Sequence, residues 1–83
     1  MKKYLITFRS ITPAQRAQRV LRSNGIQASI QRTPRWMEDR GCGYSLRMRY
    51  LDGERATQLL RQENLLFSRV FLEEDGSFSE VVT

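Results

Sequence analysis

Tyr44-Ser45-Leu46-Arg47-Met48-Arg49-Tyr50 alternates apolar and polar side chains along its whole length. A period of two belongs to a strand with one buried face, so Tyr44, Leu46, Met48 and Tyr50 are expected to face a core. Ser45, Arg47 and Arg49 point the other way. Downstream, Asp52 stands as the cap of a helix over roughly 53–64 that turns Ala56, Leu59 and Leu60 inward. Upstream, Ile26, Ala28 and Ile30 alternate with Gln27, Ser29 and Gln31, giving a second half-buried strand. Thr33-Pro34 ends that strand, because Pro34 has no N–H to donate and restricts the residue before it.

The same reading extends to both ends. Residues 3–8 form a strand with Tyr4, Ile6 and Phe8 on one side and Leu5 and Thr7 on the other; both sides are largely apolar, as a central strand requires. A helix follows, with Thr12 as its cap, Pro13 at its first position and Gln15 completing a capping box. Its inward stripe is Ala14, Ala17, Val20 and Leu21, its outer side Arg16, Arg19 and Arg22, and Asn24-Gly25 stops it. Strands over 68–73 and 77–82 meet at Asp75-Gly76, a strong hairpin signal. The order β-α-β-β-α-β plus a C-terminal hairpin predicts an α+β, ferredoxin-like sandwich. Two helices cover one face of a mostly antiparallel sheet, and residues 1–83 form a single domain.

A chain of 83 residues buries only about 60% of its unfolded surface, so its core is thin. No apolar run approaches the roughly 20 residues that span a bilayer, and Tyr4–Phe8 is too short for the core of a signal peptide. One unpaired cysteine argues against secretion. A cytoplasmic protein is expected. The net charge is +5, and twelve of the fourteen basic residues are arginine. That balance favours anionic partners, and arginine suits planar contacts to phosphate or carboxylate.

Catalytic options are narrow. Histidine is absent, which excludes Cys-His and Ser-His-Asp nucleophile systems and the usual Cys/His zinc sites. The acidic residues are mostly adjacent in sequence (Glu38-Asp39, Glu73-Glu74-Asp75), so no facing acid/base pair is indicated. No cofactor or metal is called for. What remains is the single cysteine, Cys42, held in Arg40-Gly41-Cys42-Gly43-Tyr44. A thiolate is the reactive form, and cations lower a thiol's pKa; Arg40 is two residues away and Arg35 lies in the same polar loop. Gly41 and Gly43 leave backbone amides bare enough to form an anion-holding nest. The plain structural reading of Cys42 is a small core residue at a strand start. Trp36, the only tryptophan, either shields the thiol or anchors the loop.

These residues also carry a resemblance. Phe8-Arg9-Ser10, the helix with Ala14, Ala17, Val20 and Leu21, Asn24-Gly25-Ile26, Thr33-Pro34-Arg35 and Cys42-Gly43 leading into Leu46-Arg47 resemble the small bacterial family described as putative selenium/sulfur carrier protein-like. The likeness runs from Tyr4 to Met48 and excludes the terminal hairpin. It implies that Cys42 is the carrier thiol, holding a persulfide-type adduct for delivery to a partner enzyme. Pro34, Arg35 and Gly43 would shape the loop around it, and Arg40 and Gly41 join them as candidate binding residues from the charge and glycine reading above. The implied partners are sulfur or selenium donor and acceptor proteins, and the role is that of a carrier rather than an enzyme.

Two other readings stay open. The strand order and basic charge also fit an RNA- or anion-binding ferredoxin-like domain, with Arg40-Gly41-Cys42-Gly43-Tyr44 similar to the start of an RNA-recognition signature. Strand parity opposes it, because the apolar set Tyr44, Leu46, Met48 and Tyr50 lies on the wrong face for stacking bases. The third reading is an interaction module whose terminal hairpin offers a strand edge to a partner or to a second copy of the chain.

Overall fold

The computed structural model describes residues 2–33 and 43–81. Its elements are β1 (Lys2–Phe8), α1 (Ile11–Ser23), β2 (Ser29–Arg32), β3 (Tyr44–Arg49), a 3-10 turn (Tyr50–Asp52), α2 (Gly53–Gln62), β4 (Val70–Glu74) and β5 (Ser77–Val81). The strands form one sheet in the order β2-β3-β1-β4-β5, with every neighbouring pair antiparallel. Each helix connects two parallel strands that lie on either side of a third, which is the ferredoxin-like α+β arrangement.

Strand parity holds. Tyr4, Ile6, Phe8, Leu46, Met48 and Val70 share one core cluster with Ala14, Ala17 and Leu21 of α1 and Ala56 and Leu60 of α2. Both helices therefore cover the same face. The opposite face carries a smaller cluster, Leu5 and Phe71, with Phe78 packed against it. β1 is apolar on both sides because it contributes to both clusters.

The helix boundaries differ from expectation in informative ways. The cap residue of α1 is Ser10, in extended conformation, and no side-chain bond closes the cap. Thr12 and Pro13 lie inside the first turn. Pro13 is tolerated there because its missing N–H would have had no helical partner. The C-terminus matches expectation: Gly25 has φ +81, Ile26 N–H donates to Leu21 O at 2.9 Å, and Gly25 N–H donates to Arg22 O at 3.1 Å. This is a Schellman stop whose apolar contact is Leu21 with Ile26. Asp52 precedes α2 but gives it no side-chain cap. Its carboxylate instead accepts from Arg49 Nε at 3.1 Å. Tyr50, expected to face the core, falls in the 3-10 turn and is exposed.

The second strand is shorter than its alternation suggests. Gln18 Nε2 donates to Ala28 O at 2.8 Å, so that carbonyl turns toward α1 and the ladder with β3 begins only at Ser29. At the far edge, Asp75 and Gly76 both have positive φ (51 and 81) and form a two-residue turn of the kind that matches strand twist.

Candidate functional site

β2 and β3 converge on the segment that carries the cysteine. Arg32 pairs with Tyr44 across the ladder, and one step further Thr33 N–H donates to Gly43 O at 3.0 Å. That bond closes the foot of the intervening connection. Arg32 lies over the Tyr44 ring, 5.6 Å from its centre, adding a cross-strand contact at the same level. Gly43 is buried. Of the residues singled out from the sequence, Gly43 is the one placed here. Pro34, Arg35, Trp36, Arg40, Gly41 and Cys42 lie outside the described residues.

The third strand in this row is β1. Phe8 pairs with Tyr44, and the chain runs through Arg9 to Ser10 and the start of α1. The N-terminus of a thirteen-residue helix therefore stands at the sheet end from which Gly43 departs. Its first turn contains no acidic side chain, and Arg9 beside it is exposed. The unpaired N–H groups and aligned peptide dipoles make that end positive. Sequence reading identified Arg35 and Arg40 as the nearby cations but missed the helix end. The signal was present in Phe8-Arg9-Ser10, since a strand followed within two residues by a helix brings that helix's start to the strand's end.

Two hydroxyls add a polar feature. Thr33 Oγ1 and Ser45 Oγ are buried and have no hydrogen-bond partner among the described residues. Ser45 pairs with Thr7 across the ladder, on the face opposite the helices. The Thr7 hydroxyl is engaged elsewhere: it accepts from Arg69 N–H at 2.9 Å and donates to Arg69 O at 3.2 Å. A buried hydroxyl without a partner is uncommon and calls for an explanation. These two flank the cysteine-bearing connection in sequence, one on each side.

Among the described residues no group of three His, Cys, Asp or Glu side chains could hold a metal ion. No helix among them is long and apolar enough to cross a membrane.

Comparison with known families gives a match over most of the chain. The family described as putative Se/S carrier protein-like aligns with residues 3–72. The alignment takes in β1 through α2 and the first part of β4, and it spans the cysteine-bearing connection. It reaches further than the likeness readable up to Met48 and leaves β5 outside. No curated protein and no solved structure matches the chain significantly.

Proposed function

We propose, because the chain belongs to the putative Se/S carrier protein-like family, that Cys42 holds a sulfur or selenium atom in transit between two proteins. The family match across the cysteine-bearing connection carries this reading. The geometry around it adds support: a connection closed at its foot by Thr33 and Gly43, a helix N-terminus at the same end of the sheet, and two buried hydroxyls beside it.

In the sulfur case, the Cys42 thiolate attacks the outer sulfur of a donor's cysteine persulfide. The donor S–S bond breaks, the donor cysteine leaves as a thiolate, and Cys42 gains the persulfide. No external oxidant or reductant is consumed. Delivery reverses the roles: an acceptor nucleophile takes the outer atom and Cys42 leaves as a thiolate. Each step runs faster from an ionised thiol of lowered pKa, because that thiol is both the attacking and the leaving group. Arg35, Arg40 and the positive end of α1 favour that ionised form. Pro34, Gly41 and Gly43 shape the connection so that the thiol is presented. The chain acts as a carrier and leaves turnover to its donor and acceptor enzymes.

The test is intact-protein mass spectrometry after incubation with a cysteine desulfurase and free cysteine. The wild type should gain one sulfur atom that a reductant removes, and Cys42→Ser should gain none. An unmodified wild type, or an equal gain on the serine variant, would overturn the reading.

A further inference from the structure

At the end of the sheet opposite Gly43, a groove of about 920 Å³ opens between α1 and β3. Its origin is the turned carbonyl of Ala28. With that carbonyl given to Gln18, β2 starts at Ser29 opposite Arg47, and Met48 and Arg49 extend beyond it without a β2 partner. A wedge remains where the strand would have continued. Among the described residues its rim is basic: Lys3, Arg22, Arg47 and Arg49, against the acid Asp52. Arg47 is paired with Glu73 at 2.9 Å and Arg49 with Asp52 at 3.1 Å. Lys3 and Arg22 have no ion-pair partner among the described residues. The groove is therefore a cationic recess beside an open strand end.

We infer that this groove docks an extended acidic segment of a partner protein. Such a segment continues the line of β2 beside Met48 and Arg49; successive side chains of a strand point to opposite faces, so adjacent carboxylates meet Lys3 on the open face and Arg22 on the helix-covered one. Single-stranded nucleic acid fits less well, since among the described residues no aromatic side chain lines the groove to stack a base. An isolated phosphate is far smaller than the space. Lys3 and Phe8 lie at opposite ends of β1, five residues apart, which is about 17 Å along a strand. Docking here would leave the cysteine end of the sheet uncovered. The inference concerns recognition alone and stands apart from whether Cys42 carries an atom.

The experiment is fluorescence anisotropy with a labelled peptide that carries adjacent glutamates between valines, at low and at physiological salt. The wild type should bind it saturably. The charge-reversal pair Lys3→Glu with Arg22→Glu should weaken binding about tenfold, and the neutral pair Lys3→Gln with Arg22→Gln by a smaller factor. Arg16→Glu with Arg19→Glu, on the exposed side of α1, should leave affinity within about twofold. Cys42→Ser should bind as the wild type does. Circular dichroism of each variant confirms folding. Absence of saturable binding overturns the inference, as does an equal loss in the two charge-reversal pairs. Tighter binding of a single-stranded RNA oligonucleotide with the same dependence on Lys3 and Arg22 makes the groove a nucleic-acid site instead. Displacement of the peptide by an equimolar amount of inorganic phosphate reduces it to an anion site.

Discussion

The Tyr4 ring occupies the space that a Cβ on Gly53 would need. Gly53 is the first residue of α2, and it is buried against the start of the central strand. The neighbours cannot yield cheaply, because the obstacle is a rigid aromatic ring in the core rather than the end of a flexible chain. Gly53→Ala should therefore destabilise the protein by about 1–3 kcal/mol, the usual cost of overpacking a core. The better helix propensity of alanine offsets only part of that. Urea unfolding of Gly53→Ala, Tyr4→Leu and the double variant forms the check. The double variant should be more stable than the sum of the two single losses predicts, because the smaller side chain removes the clash.

Tyr4 also sets an alkaline limit. Burial chiefly, with the nearby Glu54 carboxylate, raises its phenol above the ordinary value of 10.0, while Arg61 opposes the shift. A folded pKa above the unfolded one means the native state holds the proton more tightly. The corresponding stability is fully present below about pH 10 and is lost as pH rises through the folded value. Wild type and Tyr4→Phe should thus show parallel stability up to pH 10 and diverge above it, with the wild type falling faster. Parallel curves up to pH 12 would contradict the prediction.

Glu80 works in the opposite direction. Its carboxylate accepts from Arg69 Nη2 at 2.7 Å and from Arg69 Nε at 3.0 Å, and that hydrogen bonding holds its pKa below the ordinary carboxylate range. A depressed folded pKa contributes stability above the unfolded value, lost as pH falls through the folded one. Glu80 is solvent-exposed and screened, so the effect is small. Glu80→Gln should be slightly less stable than wild type at pH 7, and the gap should close below pH 4. Salt at molar concentration should narrow the gap at pH 7 as well.

The order of elements was legible because each strand and helix shows a clean period and each turn carries its own chemistry. Asn24-Gly25 and Asp75-Gly76 place glycine where the backbone has positive φ. The errors arose where a side chain took a partner other than the expected one. Asp52 bonds Arg49 rather than the end of α2, and Gln18 takes the Ala28 carbonyl and shortens β2. The first is a local pair three residues apart that competes with capping; the second joins residues ten apart and is not written in a local pattern. Of the candidate site residues read from the sequence, Gly43 alone falls among the described residues. Cys42 and its glycines stand out by composition, whereas the bond from Thr33 N–H to the Gly43 carbonyl was not foreseen. Thr33 and Ser45 escaped notice because an orphaned hydroxyl is visible only after every competing partner has been placed.

β5 supports a cluster that the helices do not reach. Leu5 is fully buried on the face opposite them, packed with Phe71 and, across the β4-β5 pairing, with Phe78. Leu5→Ala should cost about 2–5 kcal/mol, as for other large-to-small changes in a closed core. Phe78 is only half-buried, so Phe78→Ala should cost about 1–2 kcal/mol, less than for a fully enclosed aromatic ring. Thermal unfolding of both variants decides the order. A larger loss at Phe78 than at Leu5 would show that β5 contributes more than this packing implies.

Thr33 and Ser45 separate a structural role from a functional one. Burying a hydroxyl without a partner costs about 1–3 kcal/mol, so replacing it with an apolar group of similar shape should be neutral or stabilising. Ser45→Ala and Thr33→Val should each leave stability unchanged or raise it by up to about 1 kcal/mol. The other outcome is a loss comparable to breaking a buried hydrogen bond, which would mean that the hydroxyl has a partner in solution. The same variants bear on the proposed thiol chemistry. If these hydroxyls hydrogen-bond the thiolate form of Cys42, Thr33→Val and Ser45→Ala should slow alkylation by iodoacetamide near neutral pH and shift its pH midpoint upward, since a bond to the charged form lowers a pKa. Unchanged alkylation profiles with unchanged stability would assign the two hydroxyls no part in the site.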